Sequence, residues 1–172
     1  MEERVVLVDE ADVEIGTAPK LEAHVTGKLH RAISVFLLNS GGEMLLQRRA
    51  SGKYHSGGLW SNACCSHPRP GERPEDAATR RLGEELGLAT ALEFAFSFVY
   101  RAELEDGLCE HELDHVFVGR IDAMPTPDAV EVEAWRWTAP DDIERELNED
   151  PSRFTAWFPP AFGQLRSRRA FA

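Results

Sequence analysis

Cysteine is scarce in this chain of 172 residues: there are three, an odd number, and none forms the CxxC pair typical of structural zinc sites. A disulfide framework is therefore not expected, and joining Cys64 to Cys65 would require a strained ring between neighbours. Long apolar runs are also missing. The longest, such as AISVFLL at 32–38, fall far short of the ~18 to 20 residues that cross a bilayer. Basic residues are outnumbered, 19 against 30 acidic, and the formal charge of −11 disfavours general binding to nucleic acid or anionic membrane. An anionic substrate remains compatible with that charge if basic residues and metal gather locally. No repeat or low-complexity linker divides the chain, and the acidic start MEERVVLVDE does not read as a secretory signal. With 42% hydrophobic residues, one domain spanning residues 1–172 is expected, a monomer in the cytoplasm.

Alternation and β-branched content predict strands at 4–9, 32–38, 44–48, 92–104, 109–121 and 131–137. The turn signal NSGGE makes the second and third of these a hairpin. PEDAATRRLGEELG at 74–87 carries helix punctuation at both ends, with Pro74 in the first turn and Gly87 at the C-terminal cap. A further helix is predicted at 139–150, and a last amphipathic segment, FTAWFPPAFGQLRSRRAF, is expected to break at Pro159 and Pro160. The order implies an α/β fold, a mixed sheet packed between helices.

In the helix at 74–87, Ala78, Leu82 and Leu86 form an apolar stripe, and Ala77, Arg81 and Glu85 lie on the next one. Arg81 precedes Glu85 by four, the weaker orientation for a stabilising pair. A glutamate holding metal beside an arginine holding phosphate accounts better for that order. Elsewhere, His24 and His30 flank VTGKL, His67 follows Cys65 by two, and Glu110 and Glu112 fall on one face of a strand. Singly, each is more often a packing or surface residue; together they offer nitrogen and oxygen donors suited to Zn²⁺, Mn²⁺ or Mg²⁺.

The segment SHPRPGERPEDAATRRLGEELGL at 66–88 resembles a degenerate Nudix box, with Glu72, Arg80, Glu84, Glu85 and Gly87 at its expected places. Ser66 stands where the box opens with glycine, and Arg81 stands where the hydrolases carry a metal-binding glutamate, which puts hydrolysis in doubt. More closely, AHVTGKLH, LLQRRASGK, GLWSNACCSHPRPGE, VYRAEL and CEHELDHVF in this order resemble the type I isopentenyl-diphosphate delta-isomerases over nearly the whole chain.

That resemblance implies a Nudix-like α/β/α fold and a reaction that moves a carbon–carbon double bond through a tertiary carbocation. It makes His24, His30, His67, Glu110 and Glu112 ligands of one divalent metal, and Glu85 the ligand of a Mg²⁺ that also holds the substrate diphosphate. Cys65 and Glu112 become the acid and base on opposite faces of the substrate, either able to play either part. Tyr100 hydrogen-bonds near the metal-bound glutamate and relays its proton. Trp157 turns its π face to the cation, and Lys20, Arg49, Lys53 and Arg81 anchor the diphosphate. Cys64 and Cys109 have no catalytic part and read as small buried apolar residues. Two other readings are open: a Nudix diphosphate hydrolase, and a zinc-stabilised binding domain using Cys64, Cys65 and His67.

Overall fold

The computed structural model describes residues 2–170. The elements run β1 (Arg4–Val8), β2 (Glu14–Pro19), α1 (Lys20–Thr26), β3 (His30–Leu38), β4 (Met44–Arg49), β5 (Trp60–Ser61), β6 (Cys64–Ser66), α2 (Pro74–Leu86), β7 (Leu92–Glu103), β8 (Cys109–Arg120), β9 (Val132–Thr138), α3 (Pro140–Glu149) and α4 (Phe158–Ser167). All nine strands share one mixed sheet. β3 lies at its centre, parallel to β8 from end to end and antiparallel to β6 through Ile33–Ser66 and Val35–Cys64.

Side-chain alternation along β3 builds the layers. Ile33, Val35 and Leu37 point to one face and bury the Ala77, Ala78, Leu82 and Leu86 stripe of α2. Phe36 and Leu38 point to the other, against Ile143 of α3 and Phe158, Phe162 and Leu165 of α4. The result is the α/β/α arrangement expected from the order of elements. Among the described residues, no helix is long and apolar enough to cross a membrane.

Two expectations are corrected. β3 and β4 are joined by the NSGGE turn, but their register pairing is Leu38 with Met44 alone. β4 then leaves to pair with β9 and β5, while β3 takes β8 and β6 as partners. Burying β3 against β8 and β6 satisfies more backbone than a two-stranded ribbon could. Nor do Pro159 and Pro160 break the last segment; they occupy the first turn of α4, where a missing N–H costs nothing because those donors have no intrahelical acceptor. Residue 171 of that segment lies outside the described residues.

The α4 face of the core depends on stacked phenylalanines. Phe158 is fully buried, its ring centroid 5.3 Å from Phe154, 5.5 Å from Phe162 and 6.0 Å from Phe36. Phe158→Ala is expected to remove about 3–5 kcal/mol of stability. For a domain of this size, that lowers the melting temperature by roughly 10 °C, readable by calorimetry.

Candidate active site

The site starts from register. β8 is flanked by β3 and β7, so His30, Glu112 and Tyr100 stand in one row across three strands. Glu110 lies two residues along β8 on the same face, as its spacing requires. α1 ends at Gly27, whose left-handed φ of 66° lets the chain turn back into β3, and the helix presents His24 beside His30 with ring centroids 5.0 Å apart. This helix is too short to stand out in the sequence, where His24 and His30 merely flank VTGKL. His67, just after β6, closes the cluster.

Hydrogen bonding fixes how two of these histidines face the site. His24 Nδ1 lies 2.7 Å from the Lys20 carbonyl and His30 Nδ1 lies 2.8 Å from the Lys28 carbonyl. A carbonyl only accepts, so each Nδ1 carries the proton and each Nε2 presents a lone pair. Both Nε2 atoms are buried without a hydrogen-bond partner, 3.6 Å from Glu110 Oε1 and 3.4 Å from Glu112 Oε1 respectively. Lone pairs turned toward carboxylate oxygens in a buried place call for a cation between them. The donor atoms of His24, His30, His67 and Glu112 all lie within 4.8 Å of one another, as do those of His24, His55 and Glu110. The residues therefore fit a divalent metal.

The titration behaviour agrees. Burial disfavours charge on His30, but the adjacent Glu112 carboxylate outweighs it and raises its affinity for a proton, so this place favours positive charge. Burial also acts against ionised Glu112, yet His30, with Tyr100 assisting, holds its carboxyl down at about 2. Burial keeps His55 and His67 neutral, His55 at about 4. Tyr100 Oη lies 2.5 Å from Oε2 of both Glu110 and Glu112, and burial together with these carboxylates keeps the phenol protonated.

Beyond the acidic row, Cys65 pairs with Ser34 across β6 and β3, which puts its side chain on the Phe36 face of the sheet. Its thiol donates to Asn62 Oδ1 at 3.0 Å and receives the Trp157 indole N–H at 2.9 Å. Burial pushes the thiol up to about 12, so it is protonated at neutral pH. Cys64, one residue earlier, faces the α2 core instead. The two thiols thus point to opposite sides of the sheet, and neither belongs to either group of metal-ligand donors. A knuckle of Cys64, Cys65 and His67 does not form.

One pocket is lined by Cys65, Glu110, Glu112, His67, Glu85 and Trp157, and all four expected anchors, Lys20, Arg49, Lys53 and Arg81, open into it. Each anchor is occupied. Lys20 meets Glu3 at 3.1 Å, and Lys53 and Arg81 share Glu131 at 2.5 Å and 3.3 Å. Arg49 sits over the Trp157 ring, 5.3 Å from its centroid. Even so, Nε of Arg49 and Nε of Arg81 are buried donors lacking an acceptor. Glu85 is nearly buried, its oxygens 2.6 Å from Arg81 and 3.0 Å from Gln47 Nε2. Arg81, which replaces the box carboxylate, is committed to Glu84, Glu85 and Glu131.

Several neighbours of the site carry no motif in the sequence: His55, Ser34, Asn62 and Glu131. Asp114 had a signal, since it extends the alternation of Glu110 and Glu112; it accepts from Ser34 Oγ at 2.6 Å.

The NUDIX domain family matches residues 28–158. The chain is 48% identical over 170 residues to isopentenyl-diphosphate Delta-isomerase 2 of Aromatoleum aromaticum, covering 99% of this chain and 90% of that one. It is 52% identical over 158 residues to the isopentenyl-diphosphate Delta-isomerase of Burkholderia multivorans, covering 92% and 90%. Among solved structures, DR0079 from Deinococcus radiodurans superposes with a TM-score of 0.70 at 22% identity, over 86% of this chain and 90% of that one, which shows the shared fold. Half the residues agree with these relatives over almost their full length, on a NUDIX scaffold that has an arginine at a metal-binding position of its box: the chain belongs to the isopentenyl-diphosphate Delta-isomerase family.

Proposed function

We propose that the protein interconverts isopentenyl diphosphate and dimethylallyl diphosphate. The observation that carries this reading is a single pocket into which a protonated thiol, Cys65, and an ionised carboxylate, Glu112, both open beside a cluster of basic side chains. An alkene isomerisation needs one group that gives a proton and one that takes it. A diphosphate hydrolase instead needs its full set of metal carboxylates, and Arg81 removes one of them.

In the forward direction a proton joins the terminal alkene carbon, and the π electrons form the new C–H bond. The neighbouring carbon becomes a tertiary cation. Loss of a proton from the carbon on its other side, leaving its electron pair behind, forms the new double bond. Cys65 and Glu112 divide these two transfers, with Tyr100 hydrogen-bonded to Glu112 so that its proton can be relayed. His24, His30, His67, Glu110 and Glu112 would hold a divalent ion, Mn²⁺, Zn²⁺ or Mg²⁺, which supplies charge stabilisation for the Glu112 carboxylate.

Trp157 points its N–H at Cys65 and one face at Arg49. Trp157 lines the same pocket, and its π surface would attract the substrate cation by ~2 kcal/mol or more once water is gone. Lys20, Arg49, Lys53 and Arg81 would anchor the diphosphate, which takes the place of the carboxylates now paired with Lys20, Lys53 and Arg81, and Glu85 would hold a Mg²⁺. The unpartnered Nε donors of Arg49 and Arg81 support an anion at this place. The chain works as one domain and as a monomer in the cytoplasm.

The test is to incubate the protein with isopentenyl diphosphate and Mg²⁺ in D₂O, follow the proton NMR spectrum, and assay released phosphate in parallel. Deuterated dimethylallyl diphosphate without phosphate is expected. Phosphate release without a shifted double bond would instead establish a hydrolase.

A further inference from the structure

We propose that His55 is a ligand of the same ion as His24, His30, His67, Glu110 and Glu112, so that the protein surrounds one divalent cation with six donors, four imidazoles and two carboxylates. This inference rests on the reading of the other five residues as its ligands.

His55 is 4% exposed and belongs to the cluster by position. Its Nε2 is 3.1 Å from Glu110 Oε1, and its ring centroid is 5.6 Å from that of His24. The donors of His55, His24 and Glu110 lie within 4.8 Å of one another. Ligand bonds of about 2.0–2.2 Å keep donors on opposite sides of one ion within about 4.4 Å, so an adjustment of a few tenths of an ångström brings all three onto the ion. The other ring nitrogen, Nδ1, is 3.1 Å from Ser56 Oγ, the outer partner that orients a ligating imidazole.

The loop that carries His55 is built to hold it there. The Ser56 N–H donates to Glu105 Oε1 at 2.7 Å, and Arg49 holds the His55 carbonyl at 3.3 Å. At Gly57, a Cβ would fall 2.7 Å from the Ser51 carbonyl oxygen, so the chain approaches itself more closely than any side chain allows.

The choice of one ion over two follows from His24. Paired metal sites depend on groups that bridge two ions about 3.5–4 Å apart. Glu110 and Glu112 each turn Oε1 toward histidines and place Oε2 against the Tyr100 hydroxyl. Both groups of donors share His24, which with its Nδ1 proton held by the Lys20 carbonyl has a single lone pair, enough for one ion. An ion so enclosed has no position for water or substrate; it fixes Glu112 in place without activating a nucleophile. Four imidazoles also favour Zn²⁺, Fe²⁺, Co²⁺ or Ni²⁺ over Mg²⁺.

The test uses metal-free full-length protein titrated with MnCl₂, with metal analysis and water-proton relaxation as readouts. The wild type is expected to bind one Mn²⁺ with little relaxation enhancement, since no water touches the ion. His55→Ala should still bind one, more weakly by at least the roughly 10- to 100-fold seen when an outer partner of a ligand is lost, with stronger relaxation as water enters. His55→Gln, which keeps the loop packed, should shift both readouts the same way, guarding against a folding defect in the alanine variant. Equal affinity and relaxation in wild type and both variants would overturn the assignment. Two Mn²⁺ per wild-type chain, falling to one in His55→Ala, would overturn the shared ion. A wild type that binds no Mn²⁺, or a His30→Ala variant that binds it as well as wild type does, would overturn the five-ligand reading itself.

Discussion

Cys65→Ala is expected to lower kcat for isopentenyl diphosphate isomerisation by about 10²–10⁴-fold, the range supplied by a positioned acid or base, while metal content stays at the wild-type level. The two halves of this result have separate physical sources. Protonating or deprotonating carbon requires a group at the reacting atom, and a methyl group can neither give nor take a proton. Metal content holds because Cys65 is not among the clustered metal donors; its neighbours are Asn62, Ser34 and the Trp157 indole. Cys64→Ala provides the contrast. That thiol is fully buried against α2, so its loss should cost stability through a small cavity and leave kcat near wild type. Steady-state kinetics, metal analysis and thermal melts on the two variants separate the roles. A full isomerase rate in Cys65→Ala would remove the thiol from the chemistry, and loss of metal in that variant would mean the cysteine is a ligand after all.

The sequence was most informative where one periodicity governs both neighbours and chemistry. The alternation in CEHELDHVF places Glu110 and Glu112 on one face before any partner strand is known, and the strand runs at 109–120, one residue short of the 109–121 expected. The spacing in α2 likewise identifies Ala78, Leu82 and Leu86 as the buried stripe with Glu85 at its edge. The ends of β3 could not be read in the same way. The NSGGE turn is local and does form, but the partner of a strand depends on which distant segment buries it better, and β8 lies some eighty residues away in the chain. α1 escaped notice because a seven-residue helix carries less than two full turns of pattern. His55 was invisible for another reason: a loop has no period, and only the folded path past Gly57 brings that imidazole to Glu110. The order Arg81 before Glu85 puts both side chains into the pocket that Cys65 and Glu112 line, where they also pair with each other at 2.6 Å.

Glu112→Gln is expected to reduce kcat by about 10²–10⁴-fold and also to weaken metal binding by more than the roughly 10- to 100-fold that an outer partner contributes. Both losses come from one change, because a neutral amide has no charge to offer the ion and takes up a proton far less readily than a carboxylate. The companion variant Glu110→Gln separates them. Glu110 lies on the same buried face, has histidine neighbours of its own in His24 and His55, and meets the same Tyr100 hydroxyl, so its amide should cost comparable metal affinity. If Glu112 carries a proton in the reaction, saturating metal will restore most of the rate to Glu110→Gln and little to Glu112→Gln. Equal recovery in the two variants would mean that Glu112 is a ligand only, and the second proton-transfer group would have to be sought elsewhere in the pocket. Tyr100 is the first candidate, since its hydroxyl is the one other proton within hydrogen-bond reach of both carboxylates, among the described residues, that carbonyl groups do not already hold. Burial and these two carboxylates hold that phenol far from ionisation, which makes it suited to relaying a proton and poorly suited to keeping one off. The expected result is therefore the unequal one, with Glu112 both holding the metal and exchanging the proton.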